Sequence, residues 1–406
     1  MRNHRQWLTV AATMGIVAAV ASPAAAQKKY DPGASDREIR IGNTVPYSGP
    51  ASAYAEIGKT YAAYFNKINA EGGINGRKIS FISYDDAYSP PKTVEQTRKL
   101  VESDEVLVVF GGLGTATNTA IQKYMNAKKV PQLFVNTGAT KWNDPKQFPW
   151  TMGWQANYQS EGRIYAGYLL TNYPQGKIGI LYQNDDYGKD LVRGLKDGLH
   201  GKMRIVAEMP YEVSDPTVDS QIVTLKSSGA DIFSNVTTPK FAAQAIKKAA
   251  EIGWKPVHLL SRVASYVGAV LKPAGFENAK GILTANFSKD PTDPAWSDDP
   301  ALKEWLGFMD KYYPDGDKTS SAVVNAYLQA QTLVQVLQQC GDNLSRENVM
   351  KQAANLKKLQ LGMLLPGIMI NTGSNDFAPI KQMQMKRFNG ATFEPFGPVM
   401  SGEIGG

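Results

Sequence analysis

The feature that most constrains the fold is an order of elements that occurs twice along the chain. "IRIGNTVPYSGPASAYAEIGK" and "IGILYQNDDYGKDLVRGLKDG" each predict a strand, a polar turn with a tyrosine, and a helix. Two later pairs of segments repeat the plan of strand, turn and amphipathic helix in the same order. Strands that alternate with helices are typical of a parallel sheet covered by helices. The sequence therefore predicts an α/β fold with two Rossmann-like lobes.

The predicted helices alternate with apolar strand-like runs from residue 37 onward. They lie near 53–70, 92–102, 117–128, 158–172, 187–199, 217–228 and 239–252. The first lobe is expected near 37–156 and the second near 157–285, and the remaining tail is too short for a third domain. The tail must join the existing lobes, so the chain is expected to cross between them more than once and to leave a cleft at this hinge.

The N-terminus predicts a secretory signal peptide over residues 1–26. It carries Arg2 and Arg5, a short apolar stretch and a small-residue pattern at 24–26. No later segment approaches the ~20 apolar residues of a transmembrane helix, so no membrane insertion is expected. The formal net charge of +7 is spread along the chain without a basic run, which argues against nucleic-acid binding.

Few residues suit catalysis or metal binding. The sole cysteine, Cys340, lies in an apolar helical context, and His200 and His258 lack the spacing of a zinc site. Asp185 and Asp186 are interpreted as acids of a helix first turn rather than as a catalytic pair. We therefore expect no metal, no cofactor, no catalytic residue and no enzyme, although catalysis by carboxylates stays open.

Two hydroxyl-rich turns follow neighbouring strands and are the best candidates for ligand binding. "GGLGTATN" lacks the glycines of a dinucleotide fingerprint and the lysine of a P-loop, but it places Thr115 and Thr117 at a helix N-terminus that favours an anion. "FVNTGATKW" contributes Gly138, Ala139 and Thr140. Ordinary helix capping and hydroxyl bonds within the loop are the alternatives.

Tyr54 and Tyr187 occupy matching places in the two halves of the chain. Each opens the helix that follows the first strand of its lobe, so the two rings can close over a ligand from opposite sides. Packing inside each lobe is the alternative for either ring.

Five motifs, in order, resemble a known family. "GNTVPYSGPASAYAEIGK", "INAEGGINGRKI", "GGLGTATN", "VPQLFVNTGAT" and "NDDYGKD" are similar to the leucine/isoleucine/valine-binding type of periplasmic substrate-binding proteins of ABC importers. The resemblance implies two lobes joined by a three-segment hinge. It extends the first lobe by about 286–368 and the second by about 369–402.

The resemblance also implies roles for individual residues. Thr115 and Thr140 stand where the family binds the ligand carboxylate through hydroxyls, and Gly138 offers its backbone. Tyr54 and Tyr187 match wall positions, and Thr238 falls near a third.

One departure from the family concerns the ligand. Amino-acid binders of the family place an acid after the fourth strand of the second lobe, where this chain has Arg262. Arg262 is the candidate partner of a second anionic group on the ligand, and exposure to solvent is the alternative. An ammonium buried without a partner is costly. We therefore expect a small carboxylate-bearing ligand, such as an aromatic or branched carboxylic acid, rather than an α-amino acid.

The expected partner is an inner-membrane ABC permease, and the protein is expected to be a periplasmic monomer. A periplasmic sensor that signals to a receptor and an exported α/β enzyme are the alternatives.

Overall fold

The computed structural model of the chain describes residues 28–403. The predicted signal peptide lies outside these residues. The strands are β1 (Lys29–Tyr30), β2 (Glu38–Val45), β3 (Lys78–Asp85), β4 (Val108–Phe110), β5 (Gln132–Val135), β6 (Thr151–Gly153), β7 (Lys177–Gln183), β8 (Arg204–Tyr211), β9 (Ile232–Val236), β10 (Val257–Leu260), β11 (Leu283–Asn286), β12 (Asn343–Leu344), β13 (Gln382–Phe388) and β14 (Phe393–Ser401).

The helices alternate with these strands. They are α1 (Ala55–Ala70), α2 (Pro90–Glu102), α3 (Thr115–Lys128), α4 (Tyr158–Asn172), α5 (Asp186–Leu199), α6 (Asp219–Ser227), α7 (Pro239–Glu251), α8 (Lys272–Ala274), α9 (Phe276–Ala279), α10 (Pro300–Tyr312), α11 (Ser321–Cys340) and α12 (Arg346–Ala353). The seven helices expected from the sequence are α1 to α7, and their ends agree with the prediction to within two residues.

Two sheets form the centres of two lobes. The sheet of lobe 1 has the order β3-β2-β4-β5-β6, and that of lobe 2 has the order β8-β7-β9-β10-β11-β13-β14. The first five strands of both sheets are parallel and share one order, in which the first strand lies between the second and the third. The predicted α/β fold with two lobes of the same plan is confirmed.

The last two strands of lobe 2 differ from this plan. β13 and β14 pair antiparallel at the edge of the sheet, and β13 also pairs antiparallel with β11. The segment "FAPIKQMQMKRFNG" predicts a strand-rich end of the chain, but it does not predict the direction of the strands. β6 was not predicted, because its three residues lack the apolar run that surrounds the three-residue β4.

The chain passes between the lobes three times, after β6, after β11 and before β13. Between the second and third passages α10 and α11 return to lobe 1. There the ring of Tyr64 on α1 contacts Phe308 and Tyr327 edge-on, at 5.8 and 5.1 Å between centroids. The residue bounds given for the lobes stay a prediction.

Glycines allow α4 and α5 to pack closely in lobe 2. A Cβ added at Gly194 would lie 2.2 Å from the carbonyl oxygen of Gln159, and one at Gly162 would lie 2.4 Å from the backbone nitrogen of Leu195. Both obstacles are backbone atoms of the facing helix, so no side-chain rotation relieves them. This close contact fixes the position of α5, whose N-terminus faces the cleft.

We predict that Gly194→Ala destabilises the protein by about 1–3 kcal/mol, because the added methyl group forces the two helices apart. Gly167→Ala on α4 is the matched control, since a Cβ there meets nothing within 4 Å. The control should gain up to about 1 kcal/mol from helix propensity. Urea unfolding of both variants measures this, and equal stabilities would contradict the packing account.

Candidate ligand-binding cleft

A cavity lies where the carboxyl ends of the two sheets face each other. It has a volume of about 360 Å³ including its open mouth. Its lining residues follow strands of both lobes, as expected for ligand sites of parallel sheets. They are Tyr54, Ile57, Tyr88, Leu113, Gly114, Thr115, Asn136, Gln155, Tyr158, Tyr187, Thr238, Val263 and Tyr266.

The N-terminus of α3 forms part of the lobe 1 wall. Thr115 is the first residue of this helix, and its N-cap residue, Gly114, has no side chain that could accept from the first-turn N–H groups. Thr117 lies inside the helix, and its hydroxyl donates back to the carbonyl oxygens of Leu113 and, at 2.9 Å, of Gly114. The capping alternative is therefore not what this turn adopts, and the free N–H groups leave a weakly positive helix end at the cavity.

Gly114 is required by the geometry of the same turn. Its φ is +96°, and an added Cβ would lie 2.5 Å from the Tyr88 ring. The Thr115 hydroxyl contacts that of Thr137 at 2.5 Å, and Thr137 contacts the Tyr158 hydroxyl at 3.3 Å. These hydroxyls form one polar patch beside the helix end.

Tyr88 reaches the cavity through an unusual backbone conformation. Ala87 and Tyr88 have φ of +49° and +59°, a left-handed pair without glycine. The Asp85 carboxylate accepts from the Ala87 N–H and the Asp86 carboxylate from the Tyr88 N–H, each at 2.9 Å. The two acids thus hold a strained turn at the ligand cavity.

Lobe 2 contributes aromatic rings. The Tyr187 hydroxyl donates to the carbonyl oxygen of Thr237 at 3.1 Å, and its ring lies 4.8 Å from that of Tyr158. Burial raises the pKa of Tyr54, Tyr88 and Tyr187 well above the ordinary value of 10.0, so these hydroxyls stay protonated.

Direct contacts across the cleft show that the lobes are closed. The Tyr54 hydroxyl of lobe 1 donates to the carbonyl oxygen of Val263 of lobe 2 at 2.9 Å. The rings of Tyr54 and Tyr266 meet edge-on at 6.0 Å between centroids. A ligand in the cavity is therefore enclosed from both sides.

Arg262 lies behind the cavity wall and is only 2% exposed. Its backbone N–H donates to Glu161 Oε1 at 2.8 Å, and its Nε lies 4.0 Å from Glu161 Oε2. Its guanidinium also donates at 2.8 Å to the side-chain oxygen of Gln155, which lines the cavity. Burial raises the pKa of Glu161, and the positive charge of Arg262 partly opposes that rise.

The residues predicted from the sequence divide into two groups. Tyr54, Thr115, Tyr187 and Thr238 line one cavity, whereas Gly138, Ala139, Thr140 and Arg262 are not among its lining residues. Three tyrosines and two amides of the lining were not predicted: Tyr88, Tyr158, Tyr266, Asn136 and Gln155.

The second predicted turn takes other contacts. The Thr140 N–H and hydroxyl both donate to Asp190 Oδ2 of lobe 2, each at 2.8 Å. An added Cβ at Gly138 would lie 2.7 Å from the carbonyl oxygen of Ala156, so this glycine allows a close approach of backbones.

The remaining candidates have structural roles. Asp185 is the N-cap of α5 and accepts from the Gly188 N–H, while Asp186 lies in the first turn, as interpreted from the sequence. Cys340 is buried at the end of α11. His258 is buried against the Phe233 ring, and burial lowers its pKa to about 3.

Residues 28–403 contain no group of three or more His, Cys, Asp or Glu side chains placed to hold a metal ion. Within the same range, none of the helices combines the length and apolar character that a membrane crossing requires.

The sequence matches the profile of the periplasmic binding protein family over residues 38–392. The chain belongs to this family. Its relatives include Leu/Ile/Val-binding protein homolog 7 of Brucella abortus, 23% identical over 327 residues that cover 78% of this chain and 80% of the relative. The resemblance to the leucine/isoleucine/valine-binding type is therefore confirmed, and membership implies an extracytoplasmic location.

Solved structures share the fold of this periplasmic binding protein. A branched-chain amino acid ABC transporter structure from Thermus thermophilus with bound valine has a TM-score of 0.82 and 15% identity, and the match covers 90% of this chain and 97% of that one. A fatty acid ABC transporter substrate-binding protein from Thermomonospora curvata has a TM-score of 0.77 and 21% identity, with 92% and 95% covered.

The strained turn at Tyr88 gives a prediction about pH. Burial raises the pKa of Asp86 to about 6 from 3.8. The folded state therefore holds the proton more tightly than the unfolded state, and ionisation of Asp86 lowers stability as the pH rises from about 4 to about 6. Asp86→Asn removes this cost. Its free energy of unfolding relative to wild type should rise over that range by about 1.4 kcal/mol per pKa unit and then level off.

Asp85→Asn is the control, and it should change the free energy of unfolding in the opposite direction. Burial raises the pKa of Asp85, but hydrogen bonds from Ser48, Ala87 and Lys92 outweigh it and hold the pKa below its ordinary value. Asp85 therefore stabilises the fold above the unfolded pKa, and Asp85→Asn should be the less stable protein near neutral pH. Chemical unfolding from pH 4.5 to 7.5 tests both. A pH-independent difference for Asp86→Asn would contradict the assignment.

Proposed function

We propose that this protein is the extracytoplasmic solute-binding component of an ABC importer. Its ligand is a small carboxylic acid without an α-ammonium group, of an aromatic or branched kind. The observation that carries this proposal is the cavity lining, which contains five tyrosines, two amides, hydroxyls and a free helix end, but no carboxylate among the residues described.

The carboxylate of the ligand is assigned to the N-terminus of α3. Free N–H groups at a helix N-terminus bind anions, and the Thr115 hydroxyl adds a donor at the same place. A site of neutral donors also suits a ligand that must later be released, because it lacks the strong attraction of a buried cation.

An α-ammonium group has no partner in this cavity. Glu161, a buried acid behind the wall, accepts on Oε1 from the Arg262 N–H and, at 2.9 Å, from the Tyr165 hydroxyl, and its Oε2 lies 4.0 Å from the Arg262 Nε. The Arg262 guanidinium lies between this acid and Gln155, and its positive charge disfavours a second cation nearby. Burial of an unpaired ammonium would therefore be costly.

The body of the ligand is assigned to the tyrosine rings. Tyr54 and Tyr88 come from lobe 1 and Tyr187 and Tyr266 from lobe 2, so an apolar group between them contacts both lobes. Contacts available only in the closed form shift the population of the protein towards closure.

The family supports delivery to a permease. One relative of the same fold is an ABC transporter protein with bound valine, and another is named for fatty acids, which carry a carboxylate and no ammonium. We propose that the present protein is exported by its signal peptide to the periplasm, acts there as a monomer and catalyses no reaction.

The ligand class is tested with pairs of compounds that differ only in the amino group. Isothermal titration should show 3-phenylpropanoate binding more tightly than phenylalanine, or 4-methylpentanoate more tightly than leucine, by about tenfold or more. The expected difference reflects the unpaired ammonium. Tighter binding of both amino acids would refute the proposed ligand class.

Thr115 variants locate the bound carboxylate in the same titrations. A hydrogen bond to a charged group contributes about 1.5–3 kcal/mol, so Thr115→Ala should weaken binding by at least about tenfold. Thr115→Ser keeps the hydroxyl and should retain most of the affinity. Equal affinities for wild type and Thr115→Ala would remove this residue from the site.

A further inference from the structure

We propose that Asp190, which is not among the residues that line the ligand cavity, determines ligand affinity by acting as an interlobe latch with Thr140. The latch consists of the Asp190 carboxylate on lobe 2 and the N–H and hydroxyl of Thr140 on lobe 1. The effect on affinity rests on the function proposed above, whereas the effect on closure does not.

Both oxygens of Asp190 are engaged. Oδ2 accepts the two bonds from Thr140 at 2.8 Å, and Oδ1 accepts from the side-chain amide of Gln159 on α4 at 2.7 Å. Because α4 and α5 pack closely through glycines, Gln159 orients the carboxylate before lobe 1 arrives. An oriented carboxylate loses less freedom when it forms its last two bonds.

The position of Asp190 connects the latch to the cavity. Asp190 lies three residues after Tyr187 on α5, so the two side chains share one side of the helix. Tyr187 lines the cavity, while Thr140 and Asp190 line a separate groove together with Lys141, Gln159 and Arg193. A ligand in the cavity and the latch can therefore be present at the same time.

The Thr140 turn offers two donors that suit a carboxylate, and the Asp190 carboxylate of the protein itself accepts from both. A backbone N–H and a hydroxyl aimed at one oxygen are the donors that a ligand acid would also use. Asp190 therefore has two alternative roles: a latch that holds the lobes together, or a competitor of the ligand carboxylate for Thr140. The separate groove favours the latch, and the two roles predict effects of opposite sign on affinity.

A second pair crosses the cleft nearby but is more exposed. Lys141 Nζ lies 2.8 Å from Asp186 Oδ2, and the Asp186 side chain is 56% exposed. Ion pairs of this kind contribute little to stability because water screens them. The partly buried, three-bonded Asp190 is therefore the contact whose loss favours opening. Opening reduces the closed fraction, and the apparent affinity falls with that fraction.

The latch is tested with Asp190→Ala in the full-length mature protein. Alanine is the better helix former, so α5 should persist. Asp219→Ala is the matched control, because Asp219 is an acid on the surface of lobe 2 whose ion pair, with Lys248 at 3.4 Å, stays within that lobe. Small-angle scattering of ligand-free protein should give a larger radius of gyration for Asp190→Ala than for wild type and control. Equal radii would overturn the latch.

Titration with the acid of the ligand panel that binds most tightly shows whether Asp190 raises or lowers ligand affinity. Asp190→Ala should bind it about tenfold more weakly than the control, and Thr140→Val should add little further loss in the double variant. Tighter binding by Asp190→Ala would show that Asp190 competes with the ligand for Thr140, and it would overturn the proposal. If no acid of the panel binds, the proposed function fails, and the scattering comparison still decides the latch.

Discussion

The burial of the Arg262 guanidinium is the interaction on which much of the cleft depends. A cation with 2% exposure requires compensation, and Glu161, Gln155 and the face of the Phe287 ring at 5.0 Å supply it. Two of these groups, Glu161 and Gln155, also bear on the ligand site. Glu161 is the acid that a ligand ammonium would need, and Gln155 is a wall residue of the cavity.

From Arg262 a line of hydrogen bonds runs across the hinge into lobe 1. Arg262 donates to Gln155, Gln155 to Asn136, Asn136 to the Tyr61 hydroxyl and Tyr61 to Gln329 on α11. Because every bond points the same way, each polarises the next. Two members of this line, Gln155 and Asn136, line the ligand cavity. One hydrogen-bond network thus joins the buried charge of Arg262 in lobe 2, the cavity wall and the core of lobe 1.

The α/β class and the two lobes of one plan could be predicted, since the order of strands and helices is repeated, whereas β6 and the antiparallel direction of β13 and β14 could not. The site could be predicted only where a residue sits at a strand–helix turn, as Thr115, Tyr54 and Tyr187 do. Tyr88 was not predicted, because its place in the cavity depends on two consecutive left-handed residues that are not glycine. The sequence pattern does not indicate such a conformation. The contact between Thr140 and Asp190 joins residues 50 apart in different lobes, and no local pattern carries that information.

Mass spectrometry of the small molecule that co-purifies with the protein from its native organism tests the ligand class most directly. Denaturation should release, unchanged, an aromatic or branched carboxylic acid that contains no primary amine. Recovery of leucine, valine or another α-amino acid in stoichiometric amount would contradict the proposed ligand class.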